Sequence, residues 1–583
     1  MPEERIIPAV ESVAEFRIKI SGEELPRTVE VVAVHVSKLV NKIATAKFII
    51  LDGNVAENDF PLSNGELFKP GNEVEISAGT PDDQTTIFNG IIVKHSISVR
   101  NHRSAQLVVE CKHKAVKATI VRRSNCYHDA TDDSAISDAL QQSGLSSSDL
   151  DLEATTVTHS EMVQYNCTDW DFMISRAEMT GMIVLTNDKK IVMKKPEFSA
   201  TAVLSLLYGA TIIELDAEID SRTQYKAVKT KTWDMASQTL AEADGAEPSM
   251  PALGNIDGAT LSDVTAQEEY ILQHGGALVA DEIKMWADAQ LLKSRLARVR
   301  GRVKFEGIST INPGDMVELH GLGDRFNGNA FVSGVRHDYN AAEGWKTQAQ
   351  FGHTPDWFIN EPEVAAPKAG GLLPGAIGLH TGVVTDNEDP EGEFRVRVKI
   401  PFINANDDGV WARVSLPDAG YERGLYFRPE INDEVLVGFL FDDPRQPVVL
   451  GMLHSSALPS PLSPTNDNHK KGYTSREKLI MLFDDEKKEV KIETPGGNKI
   501  TISDDKKGIT MEDQNGNKIE MNDSGIKITS QTAIEITAQT DLKLAGANLS
   551  LAGNASLAMS GSGSSKLESS GILELKGSLV KIN

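Results

Sequence analysis

The last hundred residues repeat a short aliphatic pattern and contain no aromatic side chain. From Ile500 onward, pairs of large aliphatic residues separated by one residue recur, and small or polar residues fill the gaps. Counting an imperfect unit at Leu567, the first members run from residue 500 to residue 580 in ten steps, so the mean period is 8 residues. Because aromatic side chains supply much of the buried area of ordinary cores, this segment cannot build such a core alone.

The spacing within each pair predicts a strand with both aliphatic side chains on one side. A sustained short period is typical of a solenoid, in which stacked units share one core. Two aliphatic residues in eight are too few for one chain, whereas three chains around one axis can each supply one wall of a prism, with small residues at its corners. Segment 476–583 is therefore predicted to be a trimeric β-helix; a disordered tail would not require the period. The predicted needle core consists of Ile500, Ile502, Ile509, Met511, Ile519, Met521, Ile526, Ile528, Ile534, Ile536, Leu542, Leu544, Leu549, Leu551, Leu557, Met559, Leu573 and Leu575.

Charge and cysteine content limit the partners and the compartment. The chain has 59 Lys and Arg against 84 Asp and Glu, a net charge of −25, which argues against nucleic acid or anionic lipid as the main partner. Residues 529–583 hold four Lys and four acidic residues, so the acidic excess lies upstream. The three cysteines, at 111, 126 and 167, fit neither a zinc site nor a disulfide framework. With no signal-like start and no apolar run of about 18 residues, synthesis in the cytoplasm without a signal peptide is expected.

The remaining sequence is predicted to be mainly β with an α+β part. Alternating and β-branched runs between Gly, Asn and Pro breaks indicate strands, and capping patterns such as Thr168 with Asp171 indicate helices at 132–143 and 168–182. A long amphipathic helix is expected at 279–298. The predicted domains are a first β-barrel domain (1–120), an α+β domain (121–235), a mobile acidic loop (236–278), a helix with a second β-barrel (279–360), a Pro- and Gly-rich linker (361–378), a five-stranded OB-fold barrel (379–455), a neck (456–475) and the trimeric β-helix (476–583).

Residues 382–455 resemble the barrel of the VgrG and baseplate hub-and-spike family of contractile tails. The resemblance rests on a set of residues at the turns and strands of this segment: Asp389, Pro390, Arg395, Arg397, Trp411, Asp433, Asp443 and Pro444. Upstream, residues 168–182 are similar to a helix of the tail-hub module, and residues 311–339 are similar to its second barrel.

The resemblance implies a homotrimeric hub whose two barrels per chain form a pseudo-sixfold ring on a hexameric tail-tube protein. A barrel neck and a needle follow, and the needle end, with Val580, Ile582 and Asn583, accepts a tip protein with Pro-Ala-Ala-Arg repeats. Other baseplate proteins, and in some members effectors, are further partners. Contraction expels the spike to the extracellular space or the target cell, with transient contact to the target membrane. Type VI secretion systems, extracellular tail-like particles and phages share these motifs.

Other functions compete with this structural one. The main alternative is a trimeric, tail-fibre-like module that binds glycans, and Arg395, Arg397 and Arg413 are its candidate groove residues. Peptidoglycan hydrolysis would require an extra domain, but only about 20 residues, 456–475, separate barrel and needle. His95, His102 and His113 are interpreted as surface or hydrogen-bonded histidines rather than a metal site. No catalytic, cofactor-binding or metal-binding residue is predicted, and nucleic acid is not expected as a partner.

Overall fold

The computed structural model describes residues 15–80, 82–266, 268–362 and 364–582. The chain divides into two compact units: Met1–Ala376 with Phe441–Asp443, and Ile377–Leu440 with Pro444–Asn583. Among the described residues, no helix is both long and apolar enough to cross a membrane.

The described residues of the first unit form five α-helices and 21 strands. The helices are α1 (Pro61–Asn64), α2 (Asp132–Gln142), α3 (Asp169–Met179), α4 (Gly258–Val264) and α5 (Ala280–Leu296). The strands are β1 (Glu15–Ile20), β2 (Glu23–Glu24), β3 (Val31–Leu39), β4 (Thr45–Leu51), β5 (Glu73–Gly79), β6 (Gln84–Ser98), β7 (Gln106–Lys112), β8 (Arg122–Thr131), β9 (Leu150–Leu152), β10 (Thr158–Thr168), β11 (Ile183–Asn187), β12 (Lys190–Lys194), β13 (Leu204–Leu207), β14 (Glu214–Ile219), β15 (Ala227–Asp234), β16 (Thr239–Asp244), β17 (Glu269–His274), β18 (Val299–Glu306), β19 (Met316–His320), β20 (Gly328–Asn340) and β21 (Gly344–Phe351).

Strands of both predicted hub modules join in one 13-stranded sheet. Its main path runs β14-β18-β21-β20-β3-β4-β7-β6-β5-β1-β2, and β13 and β19 attach through β20. The antiparallel pair β3–β20 joins the modules. Each module keeps its own apolar core, the first around Phe48, Phe68 and Ile76 and the second around Phe305 and Phe351. The mainly β prediction is therefore confirmed, and the sheet runs across the boundary between the modules.

The predicted helices at 132–143, 168–182 and 279–298 are confirmed as α2, α3 and α5. Thr168 caps α3, because its Oγ1 accepts the N–H of Asp171 at 3.1 Å. A buried Glu178–Lys293 ion pair joins α3 to α5, with Oε1 and Nζ 2.8 Å apart.

The prediction of a mobile acidic loop over 236–278 is wrong. The segment instead contains β16, α4 and β17, and β15 pairs with β16 and β17 in a three-stranded sheet. Lys231 Nζ lies 2.8 Å from Glu242, and Lys229 Nζ lies 3.0 Å from Glu269. Acidic side chains of this segment, which in the sequence suggest a solvated loop, are thus paired with lysines of β15. That strand lies outside the segment.

The second unit begins with a closed five-stranded barrel, as predicted. The barrel order is β22-β23-β24-β28-β27, and valines such as Val384, Val398 and Val437 fill its core. The strands are β22 (His380–Asp386), β23 (Val396–Lys399), β24 (Val410–Val414), β27 (Glu434–Phe439) and β28 (Pro447–Met452), and a small hairpin adds β25 (Ala419–Gly420) and β26 (Arg423–Gly424).

Seven antiparallel strands follow the barrel, and we call this sheet the meander. They are β29 (Lys470–Thr474), β30 (Ile480–Asp484), β31 (Glu489–Glu493), β32 (Lys499–Ser503), β33 (Gly508–Glu512), β34 (Lys518–Asn522) and β35 (Gly525–Thr529). Each pairs with the next along the chain. The described residues 530–582, which we call the distal shaft, form no strand within the chain.

Candidate trimerisation surface

The meander register stacks the predicted aliphatic pairs into two ladders on one face. Each pair of residues at i and i+2 contributes one member to each ladder. The first ladder is Tyr473, Met481, Ile492, Ile500, Met511, Ile519 and Ile528, and the second is Phe483, Val490, Ile502, Ile509, Met521 and Ile526. The shared face predicted for the pairs is thus seen across the meander.

Much of this face is uncovered in the single chain. Ile526 is 73% exposed and Ile502 is 48% exposed, whereas isolated soluble chains rarely expose contiguous apolar patches of this kind. A face formed by two continuous apolar ladders therefore requires a partner surface.

The opposite face of the meander is charged and internally paired. Lys499 Nζ lies 3.2 Å from Glu512, and Lys518 Nζ lies 2.6 Å from Glu520. The hydrogen bond between the latter two raises the pKa of Lys518 and lowers the pKa of Glu520. This face is charged and well solvated, whereas the face that carries the two ladders is apolar.

The burial pattern of β32 differs from the prediction that the aliphatic pairs are the buried residues. On β32 the buried side chains are Thr501 and Ser503, not the aliphatic residues Ile500 and Ile502. Thr501 lies between Lys491 and Thr510 in the register, on the charged face. Long charged side chains around it keep water away, since their aliphatic stems cover the sheet.

The distal shaft bends every 7 or 8 residues and carries one aliphatic pair on each leg except 564–569, which has Leu567 alone. The bends lie at 531–532, 539–540, 547–548, 554–555, 562–563, 570–571 and 578–579. Between them, paired residues such as Ile534, Leu549 and Leu575 are 54%, 60% and 60% exposed. The eight-residue period in the sequence therefore matches the spacing at which the chain changes direction.

The backbone of the distal shaft makes few hydrogen bonds within its own chain, such as that of the Gly571 N–H to Ser569 Oγ at 3.2 Å. Among described residues 532–582, no backbone N–H donates to a backbone carbonyl. Folded chains pair nearly all buried backbone groups, and a buried group left unpaired costs about 1–3 kcal/mol. A solenoid obtains these bonds from stacked neighbouring legs, so the missing legs must be supplied by other copies.

In the barrel, Asp389 holds the turn between β22 and β23. Its carboxylate lies 2.8 Å from Arg395 Nη2 and accepts the backbone N–H groups of Glu391 and Glu393 at 3.1 Å. These bonds, with that of Arg395 foremost, hold the pKa of Asp389 well below its usual range. Arg395 also lies 6.0 Å from the ring centroid of Trp411. Three of the motif residues, Asp389, Arg395 and Trp411, thus meet in one cluster that stabilises the turn. Pro390 lies in the same turn, between Asp389 and Glu391.

The remaining motif residues lie elsewhere in the barrel. Arg397 donates to the Gly409 carbonyl at 3.2 Å and lies 3.6 Å from Asp408. Asp433 accepts the N–H of Glu430 at 2.8 Å. Asp443 is 9% exposed, and Pro444 follows it just before β28. Arg397 is thus held by backbone and carboxylate groups, and the proposed arginine groove stays untested.

We expect Asp389→Asn to loosen this turn. The amide keeps little of the charge-assisted pairing with Arg395, so amides 387–395 should exchange faster with deuterium and the barrel should unfold at lower denaturant concentration. The pKa of Asp389 is lowered on folding, so its stabilisation is present at neutral pH and disappears only in strong acid. Glu388→Gln, at an exposed side chain of the same turn, is the control. Equal exchange in both variants would contradict the assigned role.

The predicted tip-protein residues lie at the end of the distal shaft. Val580 is 51% exposed and Ile582 is 86% exposed. Asn583 lies outside the described residues. Their role at the tip stays a prediction.

The three histidines near the start of the chain occupy different settings. His95 lies 3.0 Å from the Phe68 carbonyl and 2.7 Å from Ser63 Oγ. His102 is exposed, and buried His113 accepts the N–H of Ala115 at 3.2 Å. Burial lowers the pKa of His113 to about 4. Among the described residues, the three histidines form no metal-binding cluster with each other or with Cys, Asp or Glu side chains.

The predicted core omitted five upstream members of the ladders. These are Tyr473, Met481, Phe483, Val490 and Ile492. Val490 and Ile492 show the same spacing of two as the later pairs, so the signal was present in the sequence. Tyr473, Met481 and Phe483 are not aliphatic pairs, and only the strand register reveals their place.

Three family models match the chain. The model described as the Alg8 N-terminal domain matches residues 10–341. The type VI secretion system/phage-baseplate injector OB domain matches residues 380–454, and the phage baseplate V C-terminal trimerisation domain matches residues 489–583. The second and third coincide with the closed barrel and with most of the meander and distal shaft.

Solved structures show distant similarity. A prophage MuSo2 43 kDa tail protein from Shewanella oneidensis is 12% identical, with a TM-score of 0.43 over 59% of this chain and 99% of that chain. A component of the Escherichia coli type VI secretion system is 13% identical, with a TM-score of 0.38 over 75% and 99%. A Francisella PdpA-VgrG complex is 10% identical, with a TM-score of 0.39 over 89% and 80%.

The assignment rests on the family models together with the closed barrel and the uncovered ladders. The Alg8 N-terminal domain covers more than half of the chain, and the baseplate domains cover the barrel and spike in the expected order. The chain belongs to the Alg8 N-terminal domain family and, through its barrel and spike, to the VgrG and phage-baseplate hub-and-spike family of contractile tails.

Proposed function

We propose that this baseplate hub-and-spike protein is a homotrimer that joins the hexameric inner tube to a needle piercing the target envelope. The observation that carries the proposal is the distal shaft, whose aliphatic pairs are uncovered and whose described residues 532–582 donate no backbone–backbone hydrogen bond in the single chain. Two further copies cover the aliphatic pairs and also supply hydrogen-bond partners for the backbone. The same three-chain arrangement explains why the meander leaves its two ladders exposed.

The needle works mechanically in this proposal. Three intertwined chains hydrogen-bond every leg to its neighbours and leave no free sheet edge along the shaft. Their shared aliphatic core resists bending, and the four Lys and four acidic residues of 529–583 give each chain a neutral shaft. The net charge of −25 then belongs to the hub, barrel and meander.

The finer partners belong to the same proposal. The needle end at Val580 and Ile582 carries a tip protein with Pro-Ala-Ala-Arg repeats, and the hub contacts the tube and other baseplate proteins. Effectors bind to the assembled spike, and the target membrane is contacted during contraction. The role is structural rather than catalytic.

Native mass spectrometry of the full chain tests the trimer. We expect a single species of three times the 63.3 kDa of one chain, stable at nanomolar concentration because the shared core cannot form in a monomer. Deuterium exchange of the same sample should show protected amides over 532–582. A monomer, or a trimer whose distal shaft exchanges as fast as an unfolded peptide, would contradict the proposal.

A further inference from the structure

A cavity of about 230 Å³ lies between the sheet of the first module and the turn that joins β11 to β12. Its wall is built from separate segments of the chain, among them Lys19 of β1, Glu75 of β5, Asn89 of β6, His113 after β7 and Lys189 of the turn. The cavity is far larger than the roughly 10–15 Å³ that one water needs. It therefore has room for a small polyatomic ligand.

His113 contributes a buried donor to the wall of this cavity, and its side chain is 1% exposed. Burial lowers the pKa of His113 to about 4, which the nearby Asp188 backbone opposes only in part, so the ring is neutral at pH 7. Its Nδ1 accepts the N–H of Ala115 at 3.2 Å, which leaves the proton on Nε2. Nε2 has no hydrogen-bond partner within the described chain. A buried polar atom in this state indicates a group bound from outside the chain.

Further donors of the wall are also without partners. Lys117 and Lys189 are exposed and take part in no ion pair among the described residues. The side-chain amide of Asn89 makes no hydrogen bond within the same part of the chain. A lysine carries its ammonium group on a flexible four-carbon stem, so both lysines can turn towards a ligand. The free groups that converge on the cavity are therefore mainly donors.

Carboxylates near the cavity limit the charge that it accepts. Those of Glu75 and Asp149 are already paired with two other lysines of the wall. Glu73 and Asp188 also line the cavity, but both are exposed, so water and salt screen their charges. They balance the two unpaired lysines, and selectivity consequently rests on the buried donor, whose hydrogen bond is stronger away from water. This balance suits a small anion of low charge rather than a polyphosphate.

Other classes of ligand fit the cavity less well. A metal ion requires a ring nitrogen without a proton, whereas Nε2 of His113 carries the proton and Nδ1 is occupied by Ala115. The ammonium groups of Lys117 and Lys189 would also repel a cation. An apolar ligand would leave Nε2 unpaired, at the cost of a buried donor.

We propose that this cavity binds a small oxyanion, either inorganic phosphate or the phosphate group of a small monoester. One oxygen accepts the Nε2–H of His113, and Lys117 and Lys189 donate charge-assisted hydrogen bonds to the others. Lys189 belongs to the turn between β11 and β12, whereas Lys117 belongs to the segment after β7, so the ligand joins two parts of the hub. The site is independent of the proposed trimeric spike.

Isothermal titration calorimetry of the full chain tests the site. Inorganic phosphate, added to protein in a phosphate-free buffer, should bind saturably at one site per chain. A second titration with glycerol phosphate distinguishes the two sources, because only a site open to solvent on one side accepts the monoester as well. Both titrations are run at equal ionic strength. Saturating phosphate should also slow deuterium exchange of amides 113–117 and 187–190.

Substitutions in the wall identify the binding groups. Lys117→Ala/Lys189→Ala changes two exposed side chains and should weaken phosphate binding at least about tenfold. His113→Leu removes the buried donor and should abolish the phosphate-dependent protection. Lys47→Ala/Lys226→Ala removes the same charge at exposed lysines outside the cavity and should leave the affinity unchanged.

Two results would overturn the site: no saturable heat with either phosphate probe, or an affinity that Lys117→Ala/Lys189→Ala leaves unchanged. The lysine variant decides the question where His113→Leu fails to fold. Protection of the same amides by magnesium chloride in place of phosphate would assign the cavity to a cation and also overturn the proposal. None of these results bears on the trimer, whose mass is measured separately.

Discussion

Leu549→Asp should abolish the distal shaft of the trimer. Threefold symmetry places three carboxylates at one level of the proposed core, without a cation among the small residues nearby. Burying an unpaired carboxylate costs several kcal/mol, so the three together cost roughly 10 kcal/mol, as much as the whole stability of a typical domain at about 5–15 kcal/mol. Deuterium exchange should show loss of protection over 532–582, and the trimer should dissociate in detergent where the parent does not.

Ser550→Asp is the matched control for this prediction. Ser550 lies between Leu549 and Leu551, so its side chain points to the opposite side of the leg. The same carboxylate there faces water and should leave trimer mass and exchange unchanged. Acid should partly restore the Leu549→Asp trimer, because burial favours the neutral carboxyl. A detergent-resistant Leu549→Asp trimer would show that the aliphatic pairs do not form the core.

The sequence could predict those features of the spike that depend on local patterns with a fixed period. The spacing of two within each pair and eight between pairs requires no knowledge of distant residues, and both appear, in the ladders of the meander and in the bends of the distal shaft. The sequence did not separate these two parts. Hairpin turns such as 494–498 and 513–517 allow the chain to pair with itself up to Thr529, whereas the later bends redirect the chain without returning it.

Long-range pairing is what the sequence could not predict in the hub. The 236–278 segment looked like a solvated loop because its lysine partners lie on β15. The junction of the two modules depends on β3 meeting β20, some 300 residues later. Neither contact leaves a periodic trace in the sequence, so the order of strands in the hub sheet could not be predicted from it.

The hub core contains one charged contact whose loss should be severe. Glu178 Oε1 lies 2.8 Å from Lys293 Nζ, and the two side chains are 5% and 7% exposed. The carboxylate also accepts the N–H of Phe358 at 2.8 Å and the Nδ2 of Asn41 at 3.2 Å. One side chain thus joins α3, α5, the end of β3 and the segment after β21.

Glu178→Ala should therefore lower the free energy of unfolding of the hub by about 3–5 kcal/mol, because Lys293 is left buried without its counter-charge. Trp357, whose ring lies 5.2 Å from Lys293 Nζ, is a nearby fluorescence reporter for urea unfolding of the full chain. Glu178→Met/Lys293→Met removes both charges and should recover most of the loss. Glu361→Ala breaks the half-exposed pair with Lys42 and should cost less than about 1 kcal/mol. If Glu178→Ala unfolds at the same urea concentration as Glu361→Ala, then the buried pair does not hold these elements together, and apolar packing of α3 against α5 carries the hub core.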